Sequence, residues 1–341
     1  MNPPPLPPSS PTTAVVPPPF PATPPPPPPG AGEPVISVRG LTRQFANVLA
    51  VRDVSFDIYR GQVVGFIGAN GAGKTTTMRM MVTLDLPTSG SVSVGGWDAV
   101  NFPAAVRARV GWMPDSFGAH EHMTVYEYLD FYARAFGFRR GQRLGRIAEV
   151  MEFTDLTPIA DRMMNTLSKG MAQRLCLGRT LLHNPDVLVL DEPAAGLDPK
   201  ARVEFKRLVR LLAAEGKTIF ISSHILSELA EMCDTMLFID AGAIVHHGSA
   251  ESLQRRDDGA AVYDVHVDGP PERLAQWIAV NPGVRLVDTH RRGARVSFES
   301  ADGPAVTAHL RRMMMDGIPV VDFHRESRKL EDAFVDMLKK V

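Results

Sequence analysis

The segment Gly68-Ala69-Asn70-Gly71-Ala72-Gly73-Lys74-Thr75 carries the pattern G-x-x-x-x-G-K-[ST]. Glycines at this spacing let successive backbone N–H groups curl around phosphate oxygens with no Cβ in the way. Lys74 can bridge a β- and a γ-phosphate, and the Thr75 hydroxyl can ligate Mg²⁺. The context fits. Gln62–Ile67 is a nearly continuous apolar strand, and helical periodicity starts after Gly73. The positive end of that helix would face the same anion. A chance match in a chain of this length has odds on the order of 1%. The pattern therefore predicts nucleotide binding.

A second chemical feature lies further along. Val187-Leu188-Val189-Leu190 is a buried strand that runs into Asp191-Glu192. An acid at the carboxyl end of such a strand faces a phosphate loop on the same sheet edge. Asp191 can hold Mg²⁺ directly or through water. Glu192 is the candidate for polarising an attacking water.

Taken together with Leu167-Ser168-Lys169-Gly170-Met171, Ala195-Gly196-Leu197-Asp198 and Ser222-Ser223-His224, these segments resemble the ATP-binding subunit of an ABC transporter. They occur in that family's order, and the resemblance covers about residues 35–250. The Leu167–Met171 segment separates this family from other phosphate-loop proteins.

The resemblance implies an α/β fold: a P-loop ATPase core with a mixed sheet and a helical subdomain. It implies ATP and Mg²⁺ as cofactors and an ATP-binding set of Phe45, Gly68, Asn70, Gly71, Ala72, Gly73, Lys74, Thr75 and Thr76. Ser168 and Gly170 would bind the γ-phosphate of ATP held by a second copy. The LSKGM form departs from LSGGQ at Lys169 and Met171, and Lys169 adds a cation near an anion. A Ser-capped helix N-terminus is a ready anion site in any case. Asp198 matches an interface loop. Lys74, Glu192 and His224 form the implied catalytic group, with His224 as the switch histidine that contacts the γ-phosphate. Phe45, 29 residues before Lys74, matches the aromatic that stacks on adenine.

The largest departure follows Val110-Gly111-Trp112-Met113-Pro114. The family usually carries Gln there, and this chain has Asp115. Asp is one methylene shorter and charged. Thr75, Asp191 and Asp115 make up the expected metal set. The ending Leu330-Glu331-Asp332-Ala333-Phe334 resembles drug- and polysaccharide-exporter subunits; it also reads as an amphipathic closing helix.

The elements that must position these groups can be read from periodicity. Val35–Val38, Val54–Ile58 and Ser91–Val94 alternate as half-buried strands, with a turn at Pro87–Gly90. Thr124 and Glu127 form a capping box before a helical run through Phe136. Residues 115–185 read as mainly helical. Strands return at Val187–Leu190, Thr218–Ile221, Thr235–Ile239 and Ala243–Val245. His246 and His247 read as surface. After a charged linker at Gln254–Asp258, residues 253–341 form a small accessory α+β domain that follows an ATP-binding domain over 34–252.

Of the chain's 29 prolines, 16 lie within residues 1–30, which hold no charged residue. Residues 1–33 read as a disordered tail. The net charge of −1 argues against whole-surface attraction to nucleic acid, and two cysteines without a CxxC partner support no disulfide framework. No stretch reaches the roughly 18 apolar residues of a membrane helix. The expected partners are a separate transmembrane permease and a second copy of the chain or a homologue, at the cytoplasmic face of a membrane. The competing readings are a soluble ATPase of this class acting on nucleic acid, ribosomes or cofactor assembly, and a non-hydrolysing ATP switch.

Overall fold

The computed structural model describes residues 32–116, 118, 122–249, 262–299 and 303–325. The proline tail, the charged linker and the Leu330–Leu338 helix lie outside the described residues.

Among the described residues, three sheets organise the chain. The first is antiparallel. Strands β1 (Ile36–Phe45) and β2 (Val48–Ile58) form a hairpin, and β1 also pairs with β4 (Ser89–Val94), which carries the short β5 (Trp97–Asp98). The second sheet has the order β10-β9-β3-β8-β7-β6. It is built from β3 (Val63–Ile67), β6 (Val110–Met113), β7 (Val187–Leu190), β8 (Thr218–Ser223), β9 (Thr235–Asp240) and β10 (Ala243–Gly248). Five of its strands run parallel, and β10 turns back antiparallel on β9.

The apolar runs of β3, β7 and β8 follow from burial on both faces. Alternate residues point to opposite sides of a strand. Val63 and Ile67 join one core, which also takes Leu188, Leu190, Ile219 and Ile221. Val64, Phe66, Val187, Val189 and Phe220 join the other. The second core lies between this sheet and the antiparallel one. Phe56 stacks on Phe220 at 5.6 Å, and Phe66 on Phe220 at 5.0 Å. Each such ring buried in full contributes about 2–3 kcal/mol.

Helix α1 (Lys74–Met81) follows β3, and the short α2 (Pro103–Arg107) precedes β6. Helices α3 (Val125–Ala135), α4 (Arg140–Phe153) and α5 (Lys169–Leu181) form the helical part expected between β6 and β7. The Thr124–Glu127 capping box is present in both directions. The first core includes Leu129, Ile147, Val150, Leu175 and Leu177 from these helices. Helices α6 (Pro199–Ala214) and α7 (Leu226–Ala230) flank β8.

One reading needs correction. His246 and His247 belong to β10 and are half-buried. Burial pushes the His247 imidazole down to about 4. The pair closes an edge strand whose alternate residues pack on β9, a placement that two adjacent histidines do not advertise.

The third sheet, antiparallel, has the order β12-β13-β11-β14: β11 (Val262–Val267), β12 (Val284–His290), β13 (Gly293–Phe298) and β14 (Val320–Arg325). Helices α8 (Pro271–Val280) and α9 (Gly303–Met315) cover one face. Leu274, Trp277, Ile278, Val306 and Met313 meet Val265, Ala294, Val296 and Phe298 there.

Candidate functional site

The residues with chemistry gather at the carboxyl ends of β3, β7 and β8. This is the sheet edge where the loops after parallel strands converge. The 68–75 loop leaves β3 and enters α1 at Gly73, whose φ is 107°. A Cβ on Gly73 would lie 2.6 Å from the Ala50 carbonyl oxygen of β2, so only glycine fits. Gly242, in the turn between β9 and β10, presses on the same carbonyl; its Cβ would lie 2.9 Å away. Gly242 N–H donates to the Ala72 carbonyl at 3.0 Å, and Arg52 N–H donates to Gly242 at 2.7 Å. The loop is thus held by β2 and by the β9–β10 turn together.

Helix α1 has no side-chain cap and no acid in its first turn, which leaves its leading N–H groups and dipole for an anion. Asn70 and Gly71 are exposed on the loop crest, while Ala72 and Gly73 are buried. Lys74 is buried. Its ammonium donates to the Gly68 carbonyl at 2.7 Å and the Ala69 carbonyl at 3.2 Å, and it lies 3.2 Å from Glu192 Oε1.

Asp191 ends β7 next to that loop. Thr75 Oγ1 donates to Asp191 Oδ2 at 2.7 Å, and Ser222 Oγ donates to Asp191 Oδ1 at 2.7 Å. Burial raises the Asp191 carboxyl above its ordinary range. The two hydroxyls oppose that shift, and the charges of Asp115 and Glu192 add to it. Asp115 follows β6, the neighbour of β7, and is exposed.

Glu192 takes φ 47°, a left-handed conformation that side-chain-bearing residues seldom adopt. Ser222 holds it there by accepting the Glu192 N–H at 2.8 Å. One hydroxyl therefore orients both acids. His224 Nδ1 lies 2.8 Å from Glu192 Oε2. The Glu192 carboxylate is thereby set between a lysine and a histidine. In the sequence Ser222 stands only as one member of the Ser222-Ser223-His224 segment; the signal for its role is a hydroxyl at the end of the strand beside β7.

The remaining candidates lie elsewhere. Phe45 ends β1 and is 41% exposed, with the Arg43 guanidinium 4.3 Å over its ring. The register pairs Phe45 with Val48, two residues before Ala50 and its contact with Gly73. Thr76 is half-buried in α1. Ser168 caps α5 by accepting Met171 N–H at 3.3 Å. Asp198 caps α6 by accepting Ala201 N–H at 2.9 Å. Among the described residues, no bond joins Ser168 or Gly170 to Lys74, Asp191, Glu192 or His224.

The donor set around Asp191 suits a hard cation. Thr75, Asp191 and Asp115 offer only oxygens, and three acids lie in one electrostatic neighbourhood, which fits Mg²⁺.

A glycine loop at a helix start, a buried lysine and a strand-ending acid define a P-loop nucleotide-binding protein of the parallel-sheet class. The comparisons carry this further. Residues 51–195 match the family model described as ABC transporter. The chain is 36% identical over 300 residues to the Nod factor export ATP-binding protein I of Burkholderia orbicola (strain AU 1054), covering 88% of this chain and 95% of that one. It is 37% identical over 224 residues to the ABC transporter ATP-binding protein NatA of Bacillus subtilis (strain 168), covering 64% and 91%. A solved structure titled as the ATP binding subunit of an ABC transporter superposes with a TM-score of 0.60 at 27% identity, over 66% of this chain and 94% of that one. The chain belongs to the ABC transporter ATP-binding family and is an ABC-type ATPase with exporter-type relatives. Among the described residues, no helix is long and apolar enough to cross a membrane.

Proposed function

We propose that the chain hydrolyses ATP as the cytoplasmic motor of an exporter whose membrane-spanning permease is a separate chain. The observation that carries this reading is the convergence of Lys74, Thr75, Asp191, Glu192 and His224 at one sheet edge, with Ser222 bonded to both acids.

The triphosphate sits on the glycine loop at the start of α1. The Lys74 ammonium exchanges its carbonyl acceptors for β- and γ-phosphate oxygens. Adenine stacks on Phe45, on the ring face away from Arg43. Thr75, Asp191 and Asp115 would hold Mg²⁺, which supplies charge neutralisation at the phosphates when bound. Glu192 accepts the proton of the attacking water. His224 fixes the Glu192 carboxylate and contacts the γ-phosphate. The fixed left-handed backbone at Glu192 presets the direction of that carboxylate, so no reorientation is required during reaction.

Ser168 and Gly170 act in trans. They complete the site of a second copy arranged head to tail, so that two ATP molecules lie between two chains. Hydrolysis removes the γ-phosphate that both chains grip, and the pair opens. This is differential affinity for two states, and the segment from Asp115 to Tyr128 passes it to the permease.

Glu192→Gln keeps the shape and removes the base. ATP should still bind, and turnover should fall by about 10²–10⁴. A stable ATP-bound dimer should accumulate by size exclusion. Unchanged turnover would remove Glu192 from this role. Co-purification with a membrane protein separates the exporter reading from a soluble ATPase.

A further inference from the structure

The face of the third sheet opposite α8 and α9 carries a second cluster of metal-ligating side chains. The register lines up His290, Gly293, His266 and Asp322 in one row across β12, β13, β11 and β14. The adjoining row places His324 opposite Asp264. Val265, between Asp264 and His266, points into the core beneath the helices, so both neighbours point away from it.

His266 and His290 belong to strands separated by β13. Such strands lie about 10 Å apart. Their rings nevertheless meet edge to face with centroids 5.3 Å apart. Gly293 stands between them in the row, where an added Cβ would collide with the Val265 carbonyl of β11.

The contacts form a set. His290 Nε2 lies 2.8 Å from Asp264 Oδ1, and His266 Nε2 lies 3.4 Å from Asp264 Oδ2. One ligand atom from each of Asp264, His266 and His290 fits within 4.8 Å of the others. Ligand atoms of a tetrahedral zinc stand about 3.3 Å apart, so small side-chain rotations bring these three to that spacing. His266 Nδ1 lies 3.7 Å from Asp322 Oδ2. A carboxylate behind the far nitrogen of a ligating imidazole is the usual support of a zinc histidine. Asp322 also meets His324 Nδ1 at 3.1 Å, and the His324 ring stands 6.0 Å from that of His266. Arg295, in the adjoining row, turns to Asp288 at 2.5 Å.

We propose that Asp264, His266 and His290 bind a divalent transition metal, with Zn²⁺ as the fitting ion, and that Asp322 positions His266 for it. Two imidazoles and one carboxylate make a borderline nitrogen–oxygen set, which selects Zn²⁺ over Mg²⁺ or Ca²⁺. The fourth position belongs to water or His324. A metal on His290 Nε2 takes the place of that atom's proton, which moves to Nδ1 and displaces the Arg292 N–H contact of 3.3 Å. The bound ion would tie β12 to β11 across β13 and so stabilise the terminal sheet.

The test uses the full chain without an affinity tag, in an Asp191→Asn background that weakens the Mg²⁺ set. Zn²⁺ is titrated against a chromophoric chelator. One Zn²⁺ per chain should bind. His266→Asn and His290→Gln should each weaken it by at least about 10-fold, and Asp322→Asn by about 10-fold. Circular dichroism checks that each variant folds. Co²⁺ loaded into the unmutated sequence should show the strong visible bands of four-coordinate cobalt, a readout independent of any variant at the cluster. Absence of saturable Zn²⁺ binding, affinity equal in wild type and folded variants, or only the weak bands of six-coordinate cobalt overturns the proposal and leaves the cluster a hydrogen-bonded network.

Discussion

Helices α1 and α5 both begin with no acid in the first turn. Neither places a negative charge at its positive end, as an anion site requires; α1 has no side-chain cap, and α5 has only the neutral Ser168 hydroxyl. Around α1 the chain supplies everything else: a buried lysine, two oriented acids and a histidine. Around α5 it supplies Ser168, whose oxygen caps its own helix at a long 3.3 Å, with Gly170 and the exposed Lys169 beside it. The same local device is therefore built out in one place and left as a half in the other. On the proposed reading, the second helix start takes its complement from outside its own neighbourhood, in a second copy.

Mixing two inactive variants is the strongest way to break this comparison. Lys74→Ala disables the α1 site, and a Ser168→Ala, Gly170→Val double variant disables the α5 side. Each alone should lose about 10²–10³ in turnover, as expected for removing charge-stabilising donors. Mixed dimers keep one intact site, so an equimolar mixture should recover about a quarter of wild-type activity if the two-fold pairing holds. No recovery in an ATPase assay would mean that α5 acts within its own chain, or not at all.

A smaller effect sharpens the α1 side. Ser222→Ala removes the hydroxyl shared by Asp191 and the Glu192 backbone. Turnover should fall by about 10-fold, with ATP binding preserved, because the acids remain and only their orientation relaxes. Equal losses in binding and turnover would make Ser222 a structural strut.

Asp115→Ala should raise the Mg²⁺ concentration for half-maximal activity by several-fold, about 1 kcal/mol of lost cation affinity. An unchanged Mg²⁺ titration removes Asp115 from the metal set.

The smallest effect concerns stability rather than turnover. Burial holds His247 down to about 4, below its ordinary value of about 6.5. The unfolded chain takes up this proton first, so its contribution to stability is full above about pH 6.5 and is lost as pH falls toward 4. His247→Leu should reduce the fall in unfolding free energy from urea titration between pH 7.5 and 4.5, by on the order of 1–2 kcal/mol. A slope identical to wild type would assign the acid sensitivity elsewhere.

The sequence made much of the site legible, because its parts are short and local. The phosphate loop, the strand-ending acids and His224 each carry a signal within about ten residues, and the structure places them together. The fold class followed from the resemblance carried by these motifs, and periodicity marked the individual elements; the apolar strands β3, β7 and β8 sort onto two cores as alternation requires. Less was legible where the cause is a contact between distant segments. Ser222 matters because β8 lies beside β7. Gly242 matters because it shares a carbonyl with Gly73. The half-buried state of His246 and His247 depends on β10 turning back on β9. The histidine row on the third sheet needed three strands, β12, β13 and β11, in register before His266 and His290 could be seen as neighbours. None of these leaves a pattern along one stretch of chain.

The junction of Ala50, Gly73 and Gly242 also has a bearing on the order of assembly. The glycine loop sits between a strand that precedes it and a turn that arrives about 170 residues later, a closure that is slow to form. The shape that grips phosphate therefore exists only once the far turn has docked. During synthesis, the loop leaves the ribosome long before it can function. Affinity for nucleotide is then a property the chain acquires near the end of folding, and ATP would act as a latch on the finished domain rather than as a template for it.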